Sequence, residues 1–232
     1  MKNNLIITIF TVLGISIHAQ QNRSMDSYQQ DVRFNQYMEK LNHVEKKLGY
    51  ADIEGSPFYK ANFLPARFGN SATVFPIRFN CYTDTIEMLN GDNIYEIPKT
   101  NIVKGSELSK FTFKNSNETL ILVDTYDEHS GYFFLLVNGK NQLLKKITIE
   151  FKPEIPAPNH LIKSIPARFE KQFFSYFIKT ENNFVRVPTK TEDLLFHFPE
   201  NKDEINDFIM KHKLRISKET DLAKLVTFLN EN

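Results

Sequence analysis

The stretch Gly131-Tyr132-Phe133-Phe134-Leu135-Leu136-Val137-Asn138-Gly139, carried on from Leu143 to Phe151, decides the fold class. Residues 133–137 are apolar at every position. A strand of that composition needs cover on both faces, so it belongs in the middle of a sheet. Leu120, Ile121, Leu122 and Val123 repeat the pattern just upstream. Asn138-Gly139 is the dipeptide that favours a type I′ hairpin turn. Beyond it Ile147, Ile149 and Phe151 alternate with Lys146, Thr148, Glu150 and Lys152. That period of two predicts an antiparallel strand with one wet face.

Further strands are predicted upstream at residues 58–63, 73–81, 85–89, 94–97 and 111–113. Gly69-Asn70, Asn90-Gly91-Asp92 and Asn115-Ser116-Asn117 supply the turns between them. Downstream, Pro153, Pro156, Pro158 and Pro166 read as a stiff connector over residues 153–163. A second hairpin follows at 171–179 and 183–187. The chain then turns helical. Thr189-Lys190-Thr191-Glu192 is a capping box before Leu194 and Leu195. Asn201 with Glu204 opens a second helix with the face Ile205, Phe208, Ile209 and His212. Ser217 opens a third, with Leu222, Leu225, Val226 and Leu229 inward. The fold class expected is α+β. A mainly antiparallel, sandwich-like β domain covers residues 51–152, and a hairpin plus three short helices covers 164–232.

The N-terminal region has a different character. Residues 5–17 form an uncharged, largely apolar run behind Lys2, too short to span a bilayer comfortably. Ala19 offers a small residue for cleavage, and Gln20-Gln21-Asn22-Arg23 turns polar at once. Residues 1–19 therefore read as a secretory signal peptide, which places the mature protein in the periplasm or outside the cell. In the helical segment at 20–50, Tyr37, Leu41, Val44 and Leu48 make one narrow apolar stripe. No later stretch is apolar for long enough to be a transmembrane helix.

Composition removes several function classes. Of 232 residues, 29 are Lys or Arg and 28 are Asp or Glu, and a net charge of +1 does not suit a general nucleic-acid binder. One cysteine, Cys81, excludes an internal disulfide and a thiolate zinc cluster. No P-loop, Gly-x-Ser-x-Gly or HExxH pattern occurs. Neither a metal nor a cofactor is expected.

The remaining polar candidates have ordinary readings. Asp124, Asp127, Glu128 and His129 sit between two apolar strands and read as a solvated loop. Asp84 and Glu87, three apart in a strand, point to opposite faces, with Arg78 across the hairpin as a structural partner. His197 and His212 are the histidines that short helices bring together most readily, but His212 continues an apolar face and reads as a half-buried helix end. Phe173, Phe174, Tyr176 and Phe177 are the candidate partner surface, against the reading of a strand sandwiched between layers. Asp84-Thr85-Ile86 fits a short pattern resembling periplasmic O-glycosylation sites of Bacteroidota, at Thr85.

Several segments in order resemble a family of uncharacterised exported proteins of Bacteroidota. Glu54-Gly55-Ser56-Pro57-Phe58 is similar to its opening motif. Pro76-Ile77-Arg78-Phe79-Asn80, with Asp84 and Ile86-Glu87, is similar to its Pro-x-Arg-Tyr-Asn…Asp-x-x-Glu hairpin. Pro166-Ala167-Arg168-Phe169 and the helices after Leu194 resemble its closing unit. The family has no established activity, so the resemblance implies export and fold and adds no catalytic residue. The expectation is an exported, non-enzymatic binding or structural module whose partner is an unknown envelope protein or ligand. The competing readings are a hydrolase or metal enzyme with a site built from distant residues, and an accessory factor of envelope assembly or secretion.

Overall fold

A computed structural model describes residues 50, 53–97, 99, 109–125, 129–157, 159 and 161–231. The leader at 1–19, the stripe at 26–48, His43, His160, Asp127 and Glu128 lie outside them.

The strands are β1 Leu64–Phe68, β2 Val74–Asn80, β3 Thr85–Asn90, β4 Asn93–Ile97, β5 Lys110–Phe113 and β6 Thr119–Val123, then β7 Gly131–Val137, β8 Gln142–Thr148, β9 Phe151–Lys152, β10 Arg168–Phe169, β11 Phe173–Lys179 and β12 Phe184–Arg186. Ten of them form one sheet in the order β12-β11-β8-β7-β6-β5-β1-β2-β3-β4, and β9 pairs with β10. Among the described residues every strand pairing is antiparallel. As their composition requires, β6 and β7 sit inside the sheet; Leu120 to Val123 and Gly131 to Phe134 are buried on both faces, and Leu135 to Val137 are partly buried.

One sheet curls over itself in place of two facing sheets. Phe79 on β2 meets Tyr132 and Phe134 on β7 with ring centroids 6.0 and 6.2 Å apart. In a flat sheet these strands, four positions apart, would be about 19 Å away. The curled face encloses the main core, which includes Ile77, Phe79, Met88, Phe111, Phe113 and Tyr132. The opposite face of the central strands carries Ile121, Val123, Phe133, Leu144 and Phe177, with Phe184 against them.

The expected strand at 58–63 is reduced to one bridge, Phe58 to Asn80. Phe58 and Phe63 instead hold the Arg78 guanidinium, which lies 3.7 and 4.5 Å from their ring centres. The Asn138-Gly139 turn also differs from expectation, since Gly139 is not among the positive-φ glycines. Asn141 and Asn230 lock this loop to the last helix. Asn141 N donates to Asn230 Oδ1 at 2.7 Å, and Asn230 Nδ2 donates to the Asn141 carbonyl at 2.9 Å.

The Pro-rich stretch read as a connector turns back on itself. Ile155 and Ile165 exchange both backbone hydrogen bonds at 2.9 Å. β8, β9, β10 and β11 thus make one long hairpin. Thr148 faces Phe173 and Phe151 faces Phe169, so the return strand carries one extra residue, a bulge. The second hairpin, β11–β12, extends the same sheet through β8.

The C-terminal helices are α1 Thr191–Phe196, α2 Lys202–His212 and α3 Glu219–Glu231, with a 3₁₀ turn at Pro199–Asn201. Their buried Leu194, Ile205, Leu222, Leu225 and Val226 pack with Leu143 and Ile178 of the sheet. The capping box does not form. Lys190 is the N-cap of α1 and makes no side-chain cap bond.

Candidate functional site

The structure divides the aromatic strand. Phe177 is buried among Phe133, Phe184 and His129, with ring centroids 5.3, 5.1 and 5.5 Å away. Tyr176 packs with the helix layer, and its hydroxyl donates to Glu219 Oε2 at 3.0 Å. Burial, and then that carboxylate, push the phenol up to about 12. Only Tyr176 of the two lies under the helices; Phe177 packs among side chains of the sheet. Phe173 and Phe174 stay 48% and 52% exposed, although both are paired with β8. Lys145 spans the two environments. Its Nζ lies 4.5 Å from the Phe174 ring centre and 2.8 Å from Glu219 Oε2.

His197 and His212 do not converge. His197 lines a cleft of about 340 Å³ whose rim includes Lys140, Asn183, Glu200, Glu204 and Phe228. His212 is not part of that lining. It is exposed, not half-buried, and rests on Phe208 with centroids 4.5 Å apart. The Asp124 side chain serves its loop, accepting from Ser130 Oγ at 3.2 Å. Among the described residues no group of three or more His, Cys, Asp or Glu side chains is placed to hold a metal.

Arg78 and Glu87 pair across the β2–β3 hairpin as their spacing suggests. Arg78 Nε and Nη2 donate to Glu87 Oε2 at 2.8 and 2.7 Å, and Glu87 is buried. Thr85 is half-buried, and its hydroxyl is 2.8 Å from that of Thr83.

Sequence reasoning missed the densest electrostatic cluster. Asp84 leaves the β2–β3 turn with φ +54°, a left-handed backbone rarely taken by residues other than glycine. Its carboxylate accepts from Lys146 Nζ at 2.7 Å and from Lys99 Nζ at 2.5 Å. The Tyr132 N–H reaches both carboxylate oxygens at 3.3 Å. Lys146, expected on a wet face, is only 15% exposed along its side chain. Its amine is pushed below the usual lysine range by burial, with Asp84 opposing. Nearby, burial raises the Cys81 thiol to about 12, and the Asp84 charge adds to the effect. Such a thiol stays protonated and is a poor nucleophile. The alternating pattern of β8 gave one signal, a lysine opposite an apolar face. Nothing in the sequence showed that a turn 62 residues upstream supplies its counter-ion.

These groups neutralise and orient one another. No family model, curated protein or solved structure matches the chain.

Proposed function

We propose that the chain is an exported, non-enzymatic binding module of the bacterial envelope, with Phe173 and Phe174 in the docking surface. The observation that carries this reading is two adjacent phenylalanines half exposed on a strand that β8 holds along its whole length. Neighbouring residues on a strand face opposite ways, so both sides of its start offer a ring. Exposed aromatic surface is what protein partners bury. Lys145 over Phe174 adds a cation beside the ring. The apolar run at 5–17 with Ala19 supports export. The ordered motifs from Gly55 to Phe169 support kinship with the exported Bacteroidota family.

The test is crosslinking capture from the native envelope, comparing wild type with a Phe173→Ser, Phe174→Ser double variant. The expected result is a specific partner captured by wild type and lost by the variant, with equal melting temperatures. Equal capture by both proteins would sink the docking surface. A turnover on envelope substrates that is lost on His197→Ala would overturn the non-enzymatic reading.

A further inference from the structure

The distal end of the long hairpin carries a second apolar surface, independent of Phe173 and Phe174. Ile155 (57%), Leu161 (84%), Ile162 (55%) and Ile165 (47%) are all exposed there. The arm is nevertheless well built. Ile155 and Ile165 exchange backbone bonds, and Leu161 N donates to Asn159 Oδ1 at 2.9 Å. Ile155 and Ile165 are directly opposite, so their side chains share a face.

Three features define what covers this face. Pro153, Pro156 and Pro166 remove N–H donors along the arm, so an added β-strand is a poor fit and a side-chain surface a good one. Charge is balanced: Glu154 and Lys163 cancel, and at the foot Lys152 pairs with Glu150 and Arg168 with Glu170. That leaves no cation surplus for an anionic membrane. The patch is also small. Four aliphatic side chains fall well short of the roughly 800 Å² per partner of a stable interface between separate molecules. A tethered segment has no such requirement, because its effective concentration is about millimolar.

The tether is at hand. Tyr50, where the described chain begins, meets Phe169 and Phe58 with ring centroids 5.3 and 5.9 Å apart. Phe169 is the foot of the arm. The stripe Tyr37, Leu41, Val44 and Leu48 ends two residues before Tyr50. A helix with that spacing would be about 16 Å long. The paired part of the arm, from Phe169 to Ile165, is about 13 Å long, and Leu161 and Ile162 lie beyond it. We infer that this stripe of the same chain is the occupant, lying along the aliphatic face of the arm from its foot towards its tip.

The test uses the whole exported chain in two reciprocal assays. Trypsin cleavage after Lys40, Lys46 and Lys47 is timed in wild type and in a Leu161→Asp, Ile162→Asp variant with an unchanged melting temperature. Thiol labelling of Ile162→Cys is timed with and without Leu41→Asp and Val44→Asp, since Cys81 is buried. Each rate is expected to rise about tenfold or more when the other surface is broken, the mark of a coupling near 1.4 kcal/mol. Equal rates in either assay overturn the inference. So does protection that grows with protein concentration, which means a second copy. Protection that needs added anionic vesicles means a lipid surface and overturns it as well.

Discussion

A β-carbon at residue 131 would stand 2.0 Å from Asp84 Oδ2 and 2.6 Å from Lys146 Nζ, at a backbone φ of +149°. Gly131 is thus the floor on which an ion pair between the β2–β3 turn and β8 rests. Gly131→Ala meets both a strained backbone and two partly buried charged groups with little room to retreat. The expected loss is about 3 kcal/mol or more in chemical denaturation. A midpoint within experimental scatter of wild type would show that the cluster repacks freely.

The same cluster predicts an asymmetry between breaking the pair and removing it. Asp84→Asn leaves the Lys146 ammonium desolvated, with its anion gone, and is expected to cost about 3–5 kcal/mol. Adding Lys146→Met replaces a buried pair with an apolar contact beside Phe133, whose ring centre lies 4.8 Å from Nζ. The double variant should regain most of the loss. Strictly additive losses would mean that the pair does not interact.

How much of this was legible in the sequence depends on the range of the interaction. The central strands were, because a run such as Phe133 to Val137 reports its burial locally. So was Arg78 with Glu87, since a tight hairpin fixes that register. The Asp84–Lys146 pair was not, because it exists only once the sheet curls and brings β3 beside β7. The Asn-Gly turn failed for a related reason. Asn230, from the last helix, interlocks with Asn141 and overrides the dipeptide's own preference. The prolines of the arm do not say where it goes, because whether the segment links two units or folds back depends on the pairing of Ile155 with Ile165. The aromatic strand was half legible. Its composition shows that rings must go somewhere, but Tyr176 is covered by the helix layer and Phe177 by Phe133 and Phe184 on the other face, partners that no local pattern reveals.

Phe134 tests the curled core. Its ring lies 4.7 Å from that of Tyr59 and 6.2 Å from that of Phe79, and it is 3% exposed. Phe134→Ala empties a space bounded by three separate parts of the chain, which relaxes poorly. The expected loss is about 3–5 kcal/mol, a large share of a typical total of about 5–15 kcal/mol. An unchanged melting curve would contradict the burial of this face.

Cys81 gives the fold a defined response to alkali. Its thiol ordinarily titrates at 9.0 and is raised to about 12, by burial first and the Asp84 charge second. Between these values the unfolded chain releases this proton and the folded chain keeps it. Stability must therefore fall as pH rises from about 9 to about 12, by up to about 1.4 kcal/mol per pH unit from this group. Below pH 9 both states hold the proton and the group contributes nothing. Tyr176, also raised to about 12, acts in the same direction above its ordinary value of 10.0. Lys146 acts the other way. Its folded form favours the neutral amine, so stability is recovered as pH climbs from the depressed value towards 10.5. Comparing wild type with Cys81→Ala at each pH largely removes these other groups. The stability gap between the two proteins should be constant up to about pH 9, then shift steadily in favour of Cys81→Ala. A gap that stays flat through pH 11 would mean that the thiol ionises as easily in the folded protein as in the unfolded chain.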